Sequence, residues 1–505
     1  MKKKLHCLSL VAFLALAPQM ALAGKADDTF NVAFTVEPTT MDTYKETTRE
    51  GYILARLIYD CLIEKDTSTG EFKPSLASSF KVTDDTTLDF VLRTDVKFHD
   101  GTLMTADDVV YTLNMVSSRE YGARYQIAVD WIERVEKTGE NAVRIKMKRP
   151  SPLALEMLAG NLPIYPKAYY EKAGPAGMTT KPVGTGPYRL VEVSPGSRYV
   201  LERFADYYAG SPKGQPAIKR IVVRVLPETN TQYAELMNGS LDWVWKVSPD
   251  DARRLQSRPN LKVQSTEILR YAFIGINPNF QDKKSPFADV RVRQAFNYAV
   301  NRPAIIKAFV GGSAQPAYAP CSHLQFGCTY DVDRYEFDVA KAKALLAEAG
   351  YPNGFSTELM ISSTPKEQAE VIAANLAAVG IKVTLNFQQY APALTAWREG
   401  RIPLLMGNWG SYGVADAGLS ISNYFSGTAD DQVKDKKVID LLAKADSSMD
   451  RDLRKKDYHE ALKIIASQAY LVPLWTFNVN TAFNASLDFK FDADEYARFY
   501  TAKWN

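Results

Sequence analysis

Few side chains in this 505-residue chain could do chemistry, and most of those are Cys and His. The chain has four of each; beyond residue 23 they are Cys61, Cys321 and Cys328 with His99, His323 and His459. Cys321 and Cys328 are near enough in sequence to close a small loop, and in an oxidising compartment they are expected to form a structural disulfide. A zinc site needs four ligands at suitable spacing. Three His so far apart in sequence do not offer them, and no metal is expected. Cys61, in Leu57-Ile58-Tyr59-Asp60-Cys61-Leu62-Ile63, reads as a buried free thiol. The sequence has no Gly-Lys-Ser/Thr phosphate loop and no dinucleotide-type glycine pattern after a strand. His459-Glu460 lacks a second His at the zinc-protease spacing, and no Ser sits in a Gly-x-Ser-x-Gly elbow. The expectation is a binding protein without a cofactor; a secreted hydrolase is the remote alternative.

The elements that would position such residues alternate between strand and helix. Asn31–Val36 reads as an opening strand, and Leu88–Leu92 alternates as a half-buried one does. A helix follows the turn His99-Asp100-Gly101, with Thr105 as its N-cap and Asp108 as the capping-box partner. Val109, Leu113 and Val116 recur on it at helical spacing. Thr357–Ile361, a helix capped at Thr364 and stopping at Gly380, and Ile381–Phe387 predict a β-α-β unit with parallel strands. Val292, Ala295, Phe296, Ala299 and Val300 form one helical stripe.

Charge excludes one class of partner. The chain carries 61 Lys plus Arg against 58 Asp plus Glu. The excess lies in Lys2, Lys3 and Lys4, within a segment that reads as a secretory signal. Leu8–Leu16 is its apolar stretch and Ala21-Leu22-Ala23 its cleavage pattern. Past residue 23 the charges balance and no basic run remains, so nucleic acid is not expected as a partner. Cys7 precedes the apolar stretch, so no lipid anchor is expected. The reading is an exported, periplasmic protein, and its length predicts two or three domains.

Four stretches, in order along the mature chain, resemble the solute-binding proteins of peptide-type ABC transporters, which take dipeptides, oligopeptides, nickel chelates and related solutes. They are Lys97–Val109 with its His99-Asp100-Gly101 turn, Pro182-Val183-Gly184-Thr185-Gly186-Pro187-Tyr188, Pro286–Phe296 leading to Asn301-Arg302, and Ala340–Gly354. Each also has a plain structural reading: the glycines between 184 and 187 as a bend needing positive φ, Arg291 and Arg293 as partners of core carbonyls or acids. The resemblance implies an α/β, two-lobed, hinge-linked fold with the ligand enclosed between the lobes. Lobe I would take 24–268 plus 480–505, with a subdomain inserted at about 51–165; lobe II would take 269–479.

The resemblance also implies a ligand site. A loop after a lobe II strand, Trp409-Gly410-Ser411-Tyr412-Gly413-Val414-Ala415-Asp416, corresponds to the one that faces a peptide's amino end in relatives. Trp409 matches, but Tyr412 stands where the amine-pairing Asp is usual, and Asp416 is the nearest acid. Glu37, Tyr111, Tyr271, Tyr390 and Trp475 are the other residues carried over as ligand contacts. The implied partners are a peptide or peptide-like solute and an inner-membrane permease and ATPase complex, with the protein a monomer. An opine, a sugar conjugate or a metal chelate is the alternative ligand.

Overall fold

The computed structural model describes residues 24–505 apart from 363, 364 and 412 and the side chains at 282 and 283. The export segment expected at 1–23, the cap expected at Thr364 and the ligand contact expected at Tyr412 lie outside the described residues.

β1 (Thr29–Phe34) is buried along its whole length, as suits a strand covered on both faces. β2 (Ile63–Lys65) and β3 (Phe72–Pro74) make a hairpin. β4 (Ala77–Asp84), β5 (Thr87–Leu92), β6 (Ile132–Gly139) and β7 (Ala142–Met147) form a separate antiparallel sheet in the order β4-β5-β7-β6. The helix Ala106–Ser117 packs on β6 and opens at the capping box read from sequence: the Thr105 N–H donates to Asp108 Oδ2 at 2.8 Å. Val109, Leu113 and Val116 are buried beneath it.

The main sheet continues with β8 (Tyr188–Ser194), β9 (Arg198–Arg203), β10 (Arg220–Val225), β11 (Trp243–Val244), β12 (Leu261–Ile276), β13 (Phe355–Ile361), β14 (Ile381–Phe387), β15 (Leu404–Gly410) and β16 (Leu471–Asn484). Its ten strands run β14-β13-β15-β12-β16-β11-β1-β10-β9-β8. β13 and β14 are parallel, joined by the helix Lys366–Ala377, and Gly380 has φ +97° just past its end. The β-α-β expectation holds, with the helix ending two residues earlier than Val379.

β12 and β16, 16 and 14 residues long, pair antiparallel from Leu261↔Asn484 to Gly275↔Leu471. One ladder thus passes through both halves of the fold. On one side lies a large core holding Phe30, Trp243, Trp245 and the C-terminal Phe489, Phe491, Phe499 and Tyr500. On the other, β12, β13, β15 and β16 pack under the helix Val290–Ala299, and Tyr271, Tyr458 and Ile421 centre a further cluster. This is the two-lobed α/β fold. The ladder register breaks between Glu267 and Tyr271 and again before Phe273, and the boundaries expected near 268 and 480 fall within these two strands.

The structure corrects one reason and supports another. Gly184 and Gly186 do not have positive φ; instead, a Cβ on Gly184 would lie 2.1 Å from the Ile58 carbonyl oxygen and one on Gly186 2.5 Å from the Ile58 carbonyl carbon. The glycines serve close backbone approach, with the Gly186 N–H donating to the Ile58 carbonyl at 2.8 Å. Arg293 does bind core carbonyls, those of Phe287 (2.8 Å), Ala288 (3.0 Å) and Gln468 (2.9 Å). Arg291 pairs with Asp289 at 2.6 Å. The Cys321–Cys328 disulfide forms, with Cα atoms 5.9 Å apart, and Cys61 is a buried thiol whose pKa burial pushes up to about 12.

Candidate functional site

A cavity of about 640 Å³ opens where the halves meet, within the usual range of small-molecule sites, roughly 300–1,000 Å³. One wall comes from the tip of the β2–β3 hairpin, Thr67 to Gly70, and from the segment after the helix Ala154–Leu158. The tip is held by Asp66, which accepts the Ser68 and Thr69 N–H groups at 2.9 and 3.2 Å and pairs with Lys73 at 2.5 Å. These bonds, Lys73 first, keep the Asp66 carboxyl well below the usual range. Thr67 reaches Asp492 at 3.3 Å, tying the tip to the C-terminal segment that forms the cavity's next side. The floor is β12 from Gln264 to Leu269.

The opposite wall is lobe II. Leu324 and Phe326 project from the disulfide loop, beside Gly413, Ala415 and Arg451. The loop is stitched to the 413–417 segment by the Phe326 N–H to the Ala415 carbonyl and the Ala417 N–H to the Phe326 carbonyl, both at 2.9 Å. The disulfide therefore holds a cavity wall in place.

The lining carries five cationic and five anionic side chains. Eight of them pair within the wall: Arg56 with Glu64 (3.3 Å), Lys65 with Glu156, Arg498 with Asp492 (3.1 Å) and Asp494 (2.6 Å), and Lys490 with Asp492 (3.4 Å). Burial opposes the charge on Arg498, yet Asp494 beside it holds its pKa well above the ordinary value. Glu156 is pushed up by burial against the pull of Lys65. The remaining two are Glu267, beside His323 Nδ1 at 3.3 Å, and Arg451, stacked 4.2 Å over the Phe326 ring. Burial raises the Glu267 carboxyl above the ordinary range, with His323 opposing.

None of the described residues carried over from the resemblance lines this cavity. Asp416 is 2% exposed; its carboxylate accepts from Arg454 at 2.8 Å and from the Gly418 N–H at 2.9 Å, an internal ion pair. Tyr271 is buried with its hydroxyl 2.7 Å from Ser420 Oγ, and Trp475 lies in the lobe II core. Both are core side chains because β12 and β16 turn those positions inward. Trp409 packs edge-on against Tyr424, ring centroids 5.5 Å apart, at the seam of two cores. Glu37 accepts from the Gly196 N–H at 2.6 Å and the Tyr199 hydroxyl at 2.8 Å. Tyr111 lines a separate surface groove with Lys167, and Tyr390 is 61% exposed at the start of the helix Tyr390–Arg398. Sequence reasoning missed Glu267, Arg451 and the hairpin tip. The one nearby signal was the disulfide loop, which carries Phe326 and His323.

Residues 71–432 match the family described as bacterial extracellular solute-binding proteins, family 5. The chain is 30% identical over 453 residues to heme-binding protein A of Haemophilus influenzae, covering 83% of this chain and 81% of that one. It is 30% identical over 494 residues to the glutathione-binding protein GsiB of Escherichia coli K12, covering 94% of each. The solved structure of the periplasmic binding protein DppA from Helicobacter pylori, in complex with peptide STSA, superposes with a TM-score of 0.75 at 25% identity, over 94% of this chain and 98% of that one. The protein belongs to the family 5 extracellular solute-binding proteins. Among its described residues no helix is long and apolar enough to cross a membrane.

Proposed function

We propose that this protein is the extracytoplasmic solute-binding component of an ABC importer and captures a peptide or peptide-like solute in the cavity between its lobes. The lobes are 24–268 with 480–505 and 269–479, hinged where β12 and β16 cross. The closed, loaded form is what an inner-membrane permease and ATPase complex distinguishes from the empty one. The protein acts as a monomer in the periplasm, freed from its signal segment, and binds without turnover.

The observation that carries this reading is the lining: mixed polar and apolar, dense in charged side chains of both signs in equal number, and built from both halves. Such a wall matches the alternating amide, ammonium and carboxylate groups of a short peptide. A porphyrin needs broad apolar faces, and Phe326 and Phe491 are the only aromatic side chains among the described lining residues. The opine, sugar-conjugate and chelate alternatives have no such support. The test is the melting temperature of the purified protein with dipeptides, tripeptides and glutathione at millimolar concentration. A ligand that binds only the folded state must raise it. A rise with at least one peptide is expected; no rise with any, beside a rise with hemin or a nickel chelate, would contradict the reading.

A further inference from the structure

We propose that Glu267 and Arg451 hold the two charged ends of a zwitterionic ligand, Glu267 receiving an ammonium and Arg451 a carboxylate. This rests on the peptide reading above and assigns its two charge contacts to residues outside the loop that the resemblance had pointed to.

Three observations converge. The first is the charge inventory: eight of the ten charged lining residues neutralise one another within the wall, and these two do not. The Glu267 side chain is only 13% exposed, and its Oε1 has no hydrogen-bond partner among the described residues, although His323 Nδ1 lies 3.3 Å away. Thr476 hydrogen-bonds this carboxylate, but an enclosed oxygen left without a hydrogen-bond partner is costly, and an arriving cation offsets that cost. Arg451 is exposed and makes no ion pair among the described residues; its guanidinium carbon lies 4.2 Å from the centroid of the Phe326 ring, and it acts at a distance on Glu156, already bound to Lys65.

The second observation is backbone placement. Glu267 pairs with Asn478 at the last step before the ladder's first break; the next three residues of β12 then face a single residue of β16. Such irregularities re-aim side chains and gather at functional sites. Here one sets Glu267 on the cavity floor where the strand passes between lobes. Arg451 opens the helix Arg451–Ser467, directly after its Asp450 N-cap. A cation in the first turn opposes the helix dipole, so Arg451 is not there for the helix's own stability. The third observation is that both side chains border one cavity. A ligand with opposite charges at its ends is the chemistry that satisfies both at once, and each contact would be a charge-assisted hydrogen bond.

The test is calorimetric titration of dialanine, trialanine and glutathione, each free, N-acetylated and C-amidated, into wild type, Glu267→Gln and Arg451→Gln. Melting temperatures of the free proteins check folding. The wild type is expected to bind a free peptide roughly 10–100-fold more tightly than its N-acetylated form. Glu267→Gln should lose that preference while binding the acetylated peptide as the wild type does. Arg451→Gln should lose the preference for the free over the amidated carboxyl end. A uniform weakening toward all three forms marks a structural role and overturns the assignment, as does unchanged discrimination in either variant. If the wild type binds none of the peptides, the peptide reading falls and the assignment with it.

Discussion

Asp416 and Glu267 are acids with opposite settings: Glu267 lines the cavity, and Asp416 lies behind its wall. Asp416 faces Arg454, and both side chains are 3% exposed. Removing one member of such a pair strands the other's charge in the interior, at a cost of about 3–5 kcal/mol. Asp416→Ala is therefore expected to lower folding stability by that order in chemical denaturation. Among variants that remain folded, the preference for free over N-acetylated peptides should persist. Loss of that preference with stability unchanged would instead make Asp416 a ligand group. The distinction was not legible in the sequence, where Asp416 is merely the nearest acid to Tyr412. Arg454 lies on a helix much later in the chain, and only tertiary packing reveals the pairing.

At the scale of elements, local signals were legible where local physics sets the structure. The Thr105–Asp108 capping box, the stop at Gly380 and the alternation of Ile381, Val383 and Leu385 each needed only neighbours in sequence. The Gly184–Gly186 stretch was legible as special but not for its reason, since Ile58, the backbone it meets, belongs to a distant helix end. An Ala at Gly186 would drive its Cβ into Ile58 and Leu57 main-chain atoms that cannot swing aside. Gly186→Ala is expected to cost about 1–3 kcal/mol or more, measured by urea denaturation. A loss below about 0.5 kcal/mol would mean that the helix end gives way freely, as surface positions do. The same limit explains the site. Its floor, hairpin tip, disulfide loop and C-terminal rim come from segments scattered along the chain, so no spacing rule gathers them. The family positions carried over by resemblance instead fell partly on core faces of β12 and β16.

At the scale of the molecule, a single antiparallel ladder joins two cores, and the cavity sits beside the place where that ladder loses register. A solute bridging the lobes stabilises the closed arrangement by its differential affinity for it. At a hundredfold excess over its dissociation constant it adds about 2.7 kcal/mol to the apparent stability of the native state. Overall charge neutrality fits this design: the cavity wall is itself neutral, so ligand charge is read by single groups rather than by a long-range field. The most direct measurement is native mass spectrometry of the gently purified protein, followed by denaturation and identification of what is released. The account predicts one molecule per protein of a short peptide or peptide-like zwitterion. Release of a porphyrin, a sugar conjugate or a metal chelate in its place would contradict it.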